Sequence, residues 1–185
     1  MINKILKDAE DRMGKAISLV ELAFNKIRTG RAHPSILDSV KVNYYGSEIP
    51  LNQVVHITVE DAHTLGVSPW ESSLVPEIEK AIMQSDLGLN PSTNGSLVRI
   101  PMPTLTEETR RKYFKQAKNE AENARIAIRN IRRDANASLK ALVKKKEMSE
   151  DDDRRGQDQV QKITDKYVAL VEERLSAKEK DLMKI

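Results

Sequence analysis

The 185-residue chain contains no cysteine, which excludes disulfide bonds, cysteine-ligated zinc and thiol nucleophiles. Aromatic residues make up only 4% of the chain and charged residues 32%. Such a composition favours long solvated helices packed through aliphatic side chains. No stretch approaches the roughly 18 apolar residues of a membrane-spanning helix, and no apolar signal core follows the N-terminus. We therefore expect a soluble, cytoplasmic protein without a membrane partner.

The distribution of proline and charge divides the chain into two parts of different composition. Residues 31–105 hold all seven prolines and the only tryptophan, and carry 4 basic and 8 acidic residues, a net charge of −4. Residues 1–30 and 106–185 carry 27 basic and 20 acidic residues, a net charge of +7. The sequence predicts a basic domain formed by 1–30 and 106–185, into which an acidic domain, 31–105, is inserted.

The basic part contains three segments with apolar residues at heptad spacing, which is typical of helices that pack against other helices. The first segment has Ile2, Leu6, Ala9, Met13, Ala16, Val20, Ala23 and Ile27. The second has Phe114, Ala117, Ala121, Ala124, Ile128, Ile131, Ala135, Ser138 and Leu142. The third has Val160, Ile163, Tyr167, Val171, Leu175 and Leu182.

The starts of the second and third helices are marked by capping residues. Thr106 precedes two glutamates, and Ser149 lies in capping-box register with Asp152, as at helix N-termini. No Gly or Pro occurs from 107 to 146, so one helix of about 40 residues is expected there. The short connection to the third helix predicts antiparallel neighbours. Together the segments predict a three-helix antiparallel bundle.

The acidic part alternates apolar and polar residues in a strand-like way. Strands are predicted over 39–44, over 54–59 and around Val98 and Ile100. Between the last two strands, apolar residues at helical spacing predict an amphipathic helix: Leu74, Ile78, Ala81 and Ile82. Gly88 is predicted to be its C-cap. The chain is therefore predicted to be an α+β protein, with a small α+β domain inserted in the bundle. The two crossing segments, 30–34 and 101–105, contain prolines that fix φ, which predicts a two-stranded hinge of limited freedom.

Residues able to carry out covalent chemistry are scarce. The spacing of His33, His56 and His63 matches no metal signature, and no phosphate-binding loop, dinucleotide fingerprint, serine elbow or zinc-protease motif occurs. We expect a structural or solvated role for each histidine. The sequence thus predicts a protein that is not an enzyme and has no cofactor, metal or catalytic residue.

Arginine on the second long helix is the distinctive feature. Arg125, Arg129 and Arg132 fall within about 60° of one another on a helix, and Arg133 follows directly. A solvated face with apolar stems is one interpretation. The other, which we favour, is phosphate binding on structured RNA, because guanidinium is used here where nearby stretches use lysine. Three further arginines extend the predicted patch toward the hinge: Arg28, Arg31 and Arg110.

Two alternatives of other classes remain. A helical adaptor scaffold would pair the arginines with an acidic protein, and an RNA-acting enzyme would need an unrecognised site. The acidic domain should not be drawn to phosphate, so we expect it to face a protein or to act as a lever. Because three helices in one chain can cover one another's apolar seams, we expect a monomer, although the heptads leave self-association open.

Three stretches closely resemble the bacterial ribosome recycling factor family. The first is Lys26-Ile27-Arg28-Thr29-Gly30-Arg31-Ala32-His33-Pro34-Ser35-Ile36-Leu37. The second is Ser85-Asp86-Leu87-Gly88-Leu89-Asn90-Pro91. The third is Arg125-Ile126-Ala127-Ile128-Arg129-Asn130-Ile131-Arg132-Arg133-Asp134-Ala135. The resemblance extends over the whole chain, and the three strings together are highly specific.

The resemblance implies an L-shaped, tRNA-like molecule, formed by a three-helix bundle and a smaller β/α/β domain. Proteins of this family bind the post-termination ribosome through large-subunit rRNA. With elongation factor G and its GTP hydrolysis, proteins of this family split the ribosome into subunits. The family's RNA-contacting arginines match Arg28, Arg31, Arg110, Arg129, Arg132 and Arg133 here. Its hinge resembles Thr29, Gly30, Arg31, Pro103, Thr104 and Leu105.

Overall fold

A computed structural model describes residues 1–184 of the chain, which divides into two compact units. One unit, the bundle, comprises Met1–Arg28 and the chain from Glu107 onward, and the other, the inserted unit, is Thr29–Thr106. The described residues contain four α-helices: α1 Ile2–Asn25, α2 Val75–Gln84, α3 Glu107–Lys144 and α4 Glu150–Met183. None of them has the length and apolar character that crossing a bilayer requires.

Helices α3 and α4 lie antiparallel. Arg125 on α3 forms an ion pair with Glu172 on α4, whereas Arg132, further along α3, reaches back to Gln161. Residues further along α3 therefore contact residues earlier on α4, as in an antiparallel pair of helices. The turn between the helices is tight, and Lys146 takes a positive φ of 57° in it.

Helix α1 runs parallel to α4. Glu10 pairs with Lys166 at 3.4 Å and Glu21 with Arg174 at 2.8 Å, so the contacts advance together along both helices. At the end of α1, the Nζ atom of Lys178 donates to the carbonyl oxygen of Ile27 at 3.0 Å. Burial lowers the pKa of this lysine. The three long helices therefore alternate in direction, as the bundle prediction requires.

The predicted seams form the bundle core, with one error. Met13, Val20, Ile128 and Val171 are buried as expected. Other buried seam residues are Ala9, Ala16, Ile27, Ala117, Ala121, Ala124, Ile131, Ala135, Val160 and Leu182. Ser138, however, is exposed and bonds the carbonyl of Asp134, and the fully buried residue at this level is Leu139. The heptad interpretation is wrong there because α3 advances by four residues from Ala135.

The predicted start of α4 is confirmed by its cap. The side chain of Ser149 accepts a hydrogen bond from the backbone amide of Asp152 at 3.1 Å, and Glu150, Asp151, Asp152 and Asp153 occupy the first turn. Their charge complements the positive end of the helix dipole. Further along α4, Gly156 lies against Leu139, where a Cβ would come within 3.0 Å of a Leu139 methyl carbon. A glycine at this point lets α3 and α4 approach closely.

The inserted unit contains two antiparallel sheets. Its strands are β1 Lys41–Tyr44, β2 Ser47–Pro50, β3 Val55–Asp61, β4 Thr64–Pro69, β5 Ser92–Asn94 and β6 Leu97–Pro101. Strands β1 and β2 form a hairpin, and the other four pair in the order β3-β4-β6-β5. The α+β class is therefore confirmed, with more strands than the sequence predicted.

Strand β4 is central and was not predicted. It contains Gly66, where a Cβ would lie 2.8 Å from the Thr58 hydroxyl oxygen and 3.1 Å from the Glu60 side chain. The missing side chain leaves room for Glu60 to reach Arg99 on β6, at 3.2 Å across β4. A glycine that interrupts the apolar alternation is thus required by close packing over the strand.

Helix α2 packs Ile78 and Ile82 into the core of the inserted unit, and both are fully buried. The predicted C-cap at Gly88 is wrong. The helix ends at Gln84, and Ser85 caps it with its side chain bonded to the carbonyl of Ile82. Gly88 lies beyond the helix with a positive φ of 67°. The turn that needs a glycine is therefore separate from the helix end.

Candidate nucleic-acid interface and linker

Five of the arginines predicted to bind RNA lie on α3. The helix is continuous because no Gly or Pro occurs between Glu107 and Lys144, so these residues keep fixed positions around its axis. They are Arg110, Arg125, Arg129, Arg132 and Arg133. Arg28 lies in the same unit, after the end of α1, whereas Arg31 belongs to the inserted unit.

Arg125 is held by acidic residues. Its Nε atom lies 2.9 Å from Glu122, its Nη1 atom contacts Glu172 on α4, and its side chain is only 18% exposed. Two carboxylates thus oppose the charge of Arg125. The second of them comes from α4, which the local sequence does not reveal.

The next three arginines are less constrained. Arg129 is 48% exposed and lies 3.6 Å from the other oxygen of Glu122. Arg132 contacts the neutral side-chain oxygen of Gln161 at 3.4 Å, so no charge opposes its own. Arg133 is exposed, and its guanidinium group has no hydrogen-bond or ion-pair partner within residues 1–184.

Asp134 directly follows the arginines in the sequence, but its ion pair is with another helix. Asp134 pairs with Arg12 on α1 at 3.0 Å. Arg110, in the first turn of α3, likewise has no polar partner among the residues that the structure describes. With a net charge of +7 on the bundle, the α3 face can attract an anion such as an RNA backbone.

The predicted hinge residues run as two neighbouring segments, 29–31 and 103–105. Gly30 has a positive φ of 77°, and a Cβ there would lie 3.6 Å from the Leu105 side chain and 3.9 Å from the Pro103 carbonyl oxygen. The left-handed backbone favours glycine at this point. The two segments thus pass one another within van der Waals distance.

The longer crossing segments, 30–34 and 101–105, are both hydrogen-bonded to the tip of the β3–β4 hairpin. The Ala32 amide donates to the Ala62 carbonyl at 2.8 Å, and the Met102 amide donates to the His63 carbonyl at 2.6 Å. The imidazole of His63 also bonds the carbonyl of Gly30 at 3.0 Å. We call these three bonds the hairpin clamp. The hairpin clamp was not predicted from the sequence, because β4 was missing from the prediction.

The clamp is shaped by Asp61, whose carboxylate accepts the backbone amide of His63 at 2.8 Å. That bond is the main reason why the pKa of Asp61 is lowered.

The other histidine near the linker is His33. Its ring accepts a hydrogen bond from the Ser35 amide at 3.1 Å and so caps a short 3₁₀ helix, Pro34–Leu37. Within residues 1–184, no group of His, Asp or Glu side chains is arranged to hold a metal ion.

Comparisons with known proteins agree with the motifs. A family model described as "Ribosome recycling factor" matches residues 20–183. The chain is 83% identical over 185 residues to the ribosome-recycling factor of Marinomonas sp. (strain MWYL1), and 65% identical over 185 residues to that of Saccharophagus degradans. Both alignments cover 100% of this chain and 100% of the relative.

Two solved structures are similar over the full length. A solution structure of the ribosome recycling factor has a TM-score of 0.75 and 36% identity, covering 100% of this chain and 98% of that chain. The other comprises models for the T. thermophilus ribosome recycling factor and the E. coli elongation factor G bound to the E. coli post-termination complex, with a TM-score of 0.65, 40% identity and 100% of both chains covered. The resemblance seen in the three motifs is confirmed: the chain belongs to the ribosome recycling factor family.

Proposed function

We propose that this chain recycles ribosomes after translation termination. It binds the post-termination ribosome and, with elongation factor G and GTP, splits it into subunits. The full-length match to ribosome-recycling factors carries this conclusion. The match to a chain of the assembly with elongation factor G on the post-termination complex supports the choice of partners.

The bundle is assigned to rRNA of the large subunit. Its net charge of +7 and the exposed arginines of α3 support this role, because guanidinium groups form paired hydrogen bonds with phosphate oxygens. Arg132 is the strongest candidate, since its partner Gln161 is neutral. Arg129, Arg133 and Arg110 follow. Arg28 and Arg31 are assigned by motif, and Arg125 contributes least because two carboxylates hold it.

The inserted unit is assigned to a protein partner. Its 4 basic and 8 acidic residues give a net charge of −4, so an RNA surface repels it. We propose that it swings on residues 29–31 and 103–105 when the elongation factor acts, while the bundle stays anchored by charge. Hydrolysis of GTP belongs to the elongation factor. This chain contributes binding and movement, needs no cofactor of its own, and works in the cytoplasm where ribosomes are used.

Light scattering of vacant bacterial ribosomes tests the function. The ribosomes are mixed with this protein, elongation factor G and GTP, and each component is left out in turn. We expect a fall in scattering that requires all three components, because two subunits scatter less than one ribosome.

Binding measured at several salt concentrations separates the alternatives. Binding that weakens steeply with salt, without any fall in scattering, would indicate an RNA-binding module that does not recycle ribosomes. Absence of ribosome binding would favour the helical adaptor scaffold.

A further inference from the structure

An exposed aromatic cluster lies on the inserted unit. Tyr45 is 76% exposed and Trp70 is 74% exposed, although the chain has only seven aromatic residues. Trp70 directly precedes Glu71, whose carboxylate contacts both Tyr44 and Tyr45. We call Tyr44, Tyr45, Trp70 and Glu71 the aromatic–carboxylate patch. Aromatic side chains usually bury most of their area, so their exposure here points to a contact surface.

The two tyrosines are held in place before any partner arrives. Tyr44 donates to one oxygen of Glu71 at 3.1 Å, and Tyr45 donates to the other at 3.0 Å. Their ring centroids lie 4.6 Å apart in an edge-to-face arrangement. Tyr45 has a positive φ of 49° in the β1–β2 turn, a conformation that is strained for a non-glycine residue. The ring that this turn carries is exposed.

The patch carries an unpaired negative charge. Among the described residues, no Lys or Arg forms an ion pair with Glu71. A carboxylate offers about four acceptor positions, and the two tyrosine hydroxyls use one on each oxygen. Each oxygen can therefore accept one more donor. The exposed ring faces add a second attraction for cations, and the net charge of −4 on the unit acts in the same direction.

We propose that the aromatic–carboxylate patch binds an arginine side chain projected from a basic protein segment of the ribosomal complex. A guanidinium group is planar, donates to both oxygens of a carboxylate and stacks on aromatic rings. Tyr44, Tyr45 and Glu71 offer both kinds of contact within one hydrogen-bonded arrangement, and Trp70 adds an exposed ring next to Glu71 in the sequence. RNA bases also stack on exposed rings, but the carboxylate and the acidic unit repel the attached phosphates. This inference rests on the proposed function, since it places the partner on the ribosome or its bound factor.

Photo-crosslinking locates the partner. The variant Trp70→p-benzoylphenylalanine leaves the tyrosine–glutamate hydrogen bonds intact, and the full chain is irradiated with ribosomes, elongation factor G and a non-hydrolysable GTP analogue. We expect crosslinks to a protein peptide that contains arginine. The same probe at Met83, an exposed residue on α2, is the control and should give a lower yield. Crosslinks to rRNA alone, no crosslinks, or equal yields at the two positions would overturn the proposal.

Glu71→Gln tests the chemistry while preserving shape. We expect the protein concentration for half-maximal ribosome splitting to rise by about tenfold, as expected when a charged hydrogen bond is lost. Glu48→Gln removes the same charge from an exposed glutamate on β2 and should leave this concentration unchanged. Equal behaviour of the two variants would overturn the proposal. Splitting by the unaltered protein tests the proposed function independently, and if it fails, the crosslinks still decide whether the patch contacts a protein.

Discussion

The Nδ1 atom of His63 lies 3.0 Å from the carbonyl oxygen of Gly30. Because a carbonyl oxygen only accepts hydrogen bonds, Nδ1 carries the proton and the imidazole is the donor. The same hairpin tip holds the amides of Ala32 and Met102. One turn therefore ties both crossing segments to the inserted unit, and we expect bending to be confined to the few linker residues outside these bonds.

His63→Ala should loosen the incoming segment. We expect the Ala32 amide to exchange with deuterium about fivefold faster, which corresponds to the ~1 kcal/mol of one hydrogen bond. Nuclear magnetic resonance of the full chain measures this rate. His56→Ala is the matched control, since the His56 side chain is also exposed and its imidazole has no hydrogen-bond partner within residues 1–184. Identical rates in the two variants would show that the imidazole does not hold the linker.

Alkaline titration should reveal the bonds to Glu71. The hydrogen bond to this carboxylate is the main reason why the pKa of Tyr44 and of Tyr45 is raised. Each tyrosine then stabilises the fold fully below its unfolded pKa of about 10, and this contribution is lost as the pH rises through the folded pKa. Glu71→Gln should move part of the ultraviolet phenolate titration to lower pH. A curve that matches the unaltered protein would contradict the assignment.

Arg132→Ala should weaken ribosome binding. Loss of a close guanidinium–phosphate contact is expected to cost ~1–3 kcal/mol, and equilibrium binding at fixed salt measures it. Arg154→Ala, an exposed arginine on α4, controls for the loss of one positive charge. A change in binding free energy within about 0.5 kcal/mol for Arg132→Ala would show that this arginine belongs to a solvated face and does not bind RNA.

Arg125→Ala should instead lower the free energy of unfolding by ~1 kcal/mol, because it breaks the pairs with Glu122 and Glu172.

Leu139→Ala should strongly destabilise the bundle. Leu139 is fully buried, so its truncation leaves a cavity. We expect the free energy of unfolding to fall by ~2–5 kcal/mol. Urea unfolding measures this change. The neighbouring variant Ser138→Ala should alter the same free energy by less than about 0.5 kcal/mol, since Ser138 is exposed. The opposite ranking would restore the strict heptad interpretation.

Thr104→Pro should stiffen the outgoing linker segment. A second fixed φ after Pro103 reduces the freedom of the segment, so we expect splitting to become several-fold slower while ribosome binding stays unchanged. Stopped-flow light scattering and equilibrium binding measure the two quantities. Pro103→Ala, which relaxes the same segment, is the comparison and should not slow splitting. Normal splitting by Thr104→Pro would rule out the swinging movement.

Local patterns explain why the long helices could be predicted. Heptad spacing placed Met13, Val20 and Ile128 in the core because each position depends only on residues three or four away. The same rule failed at Ser138, since a step of four from Ala135 fits a helix equally well. Packing of Leu139 against Gly156 of another helix decides between the two.

Long-range contacts explain what could not be predicted. Gly66 suggests a break in a strand until Thr58 and Glu60 are seen to lie over it. The second acidic partner of Arg125 is hidden from its local sequence, because Glu172 lies 47 residues further along the chain. The clamp role of His63 likewise depends on Gly30, which is 33 residues away. In each case the deciding partner comes from another element, and no local spacing encodes it.

The placement of α1 has a consequence for synthesis. Its partners in the bundle, α3 and α4, are translated only after the whole inserted unit, so about 80 residues separate the end of α1 from the start of α3. At about 5–20 residues per second, translation from the end of α1 to the end of α4 takes roughly 8–30 s. During that time Met13, Val20 and Phe24 have no bundle to cover them. A protein that releases ribosomes from finished messages can therefore complete its own bundle only after α4 has been synthesised.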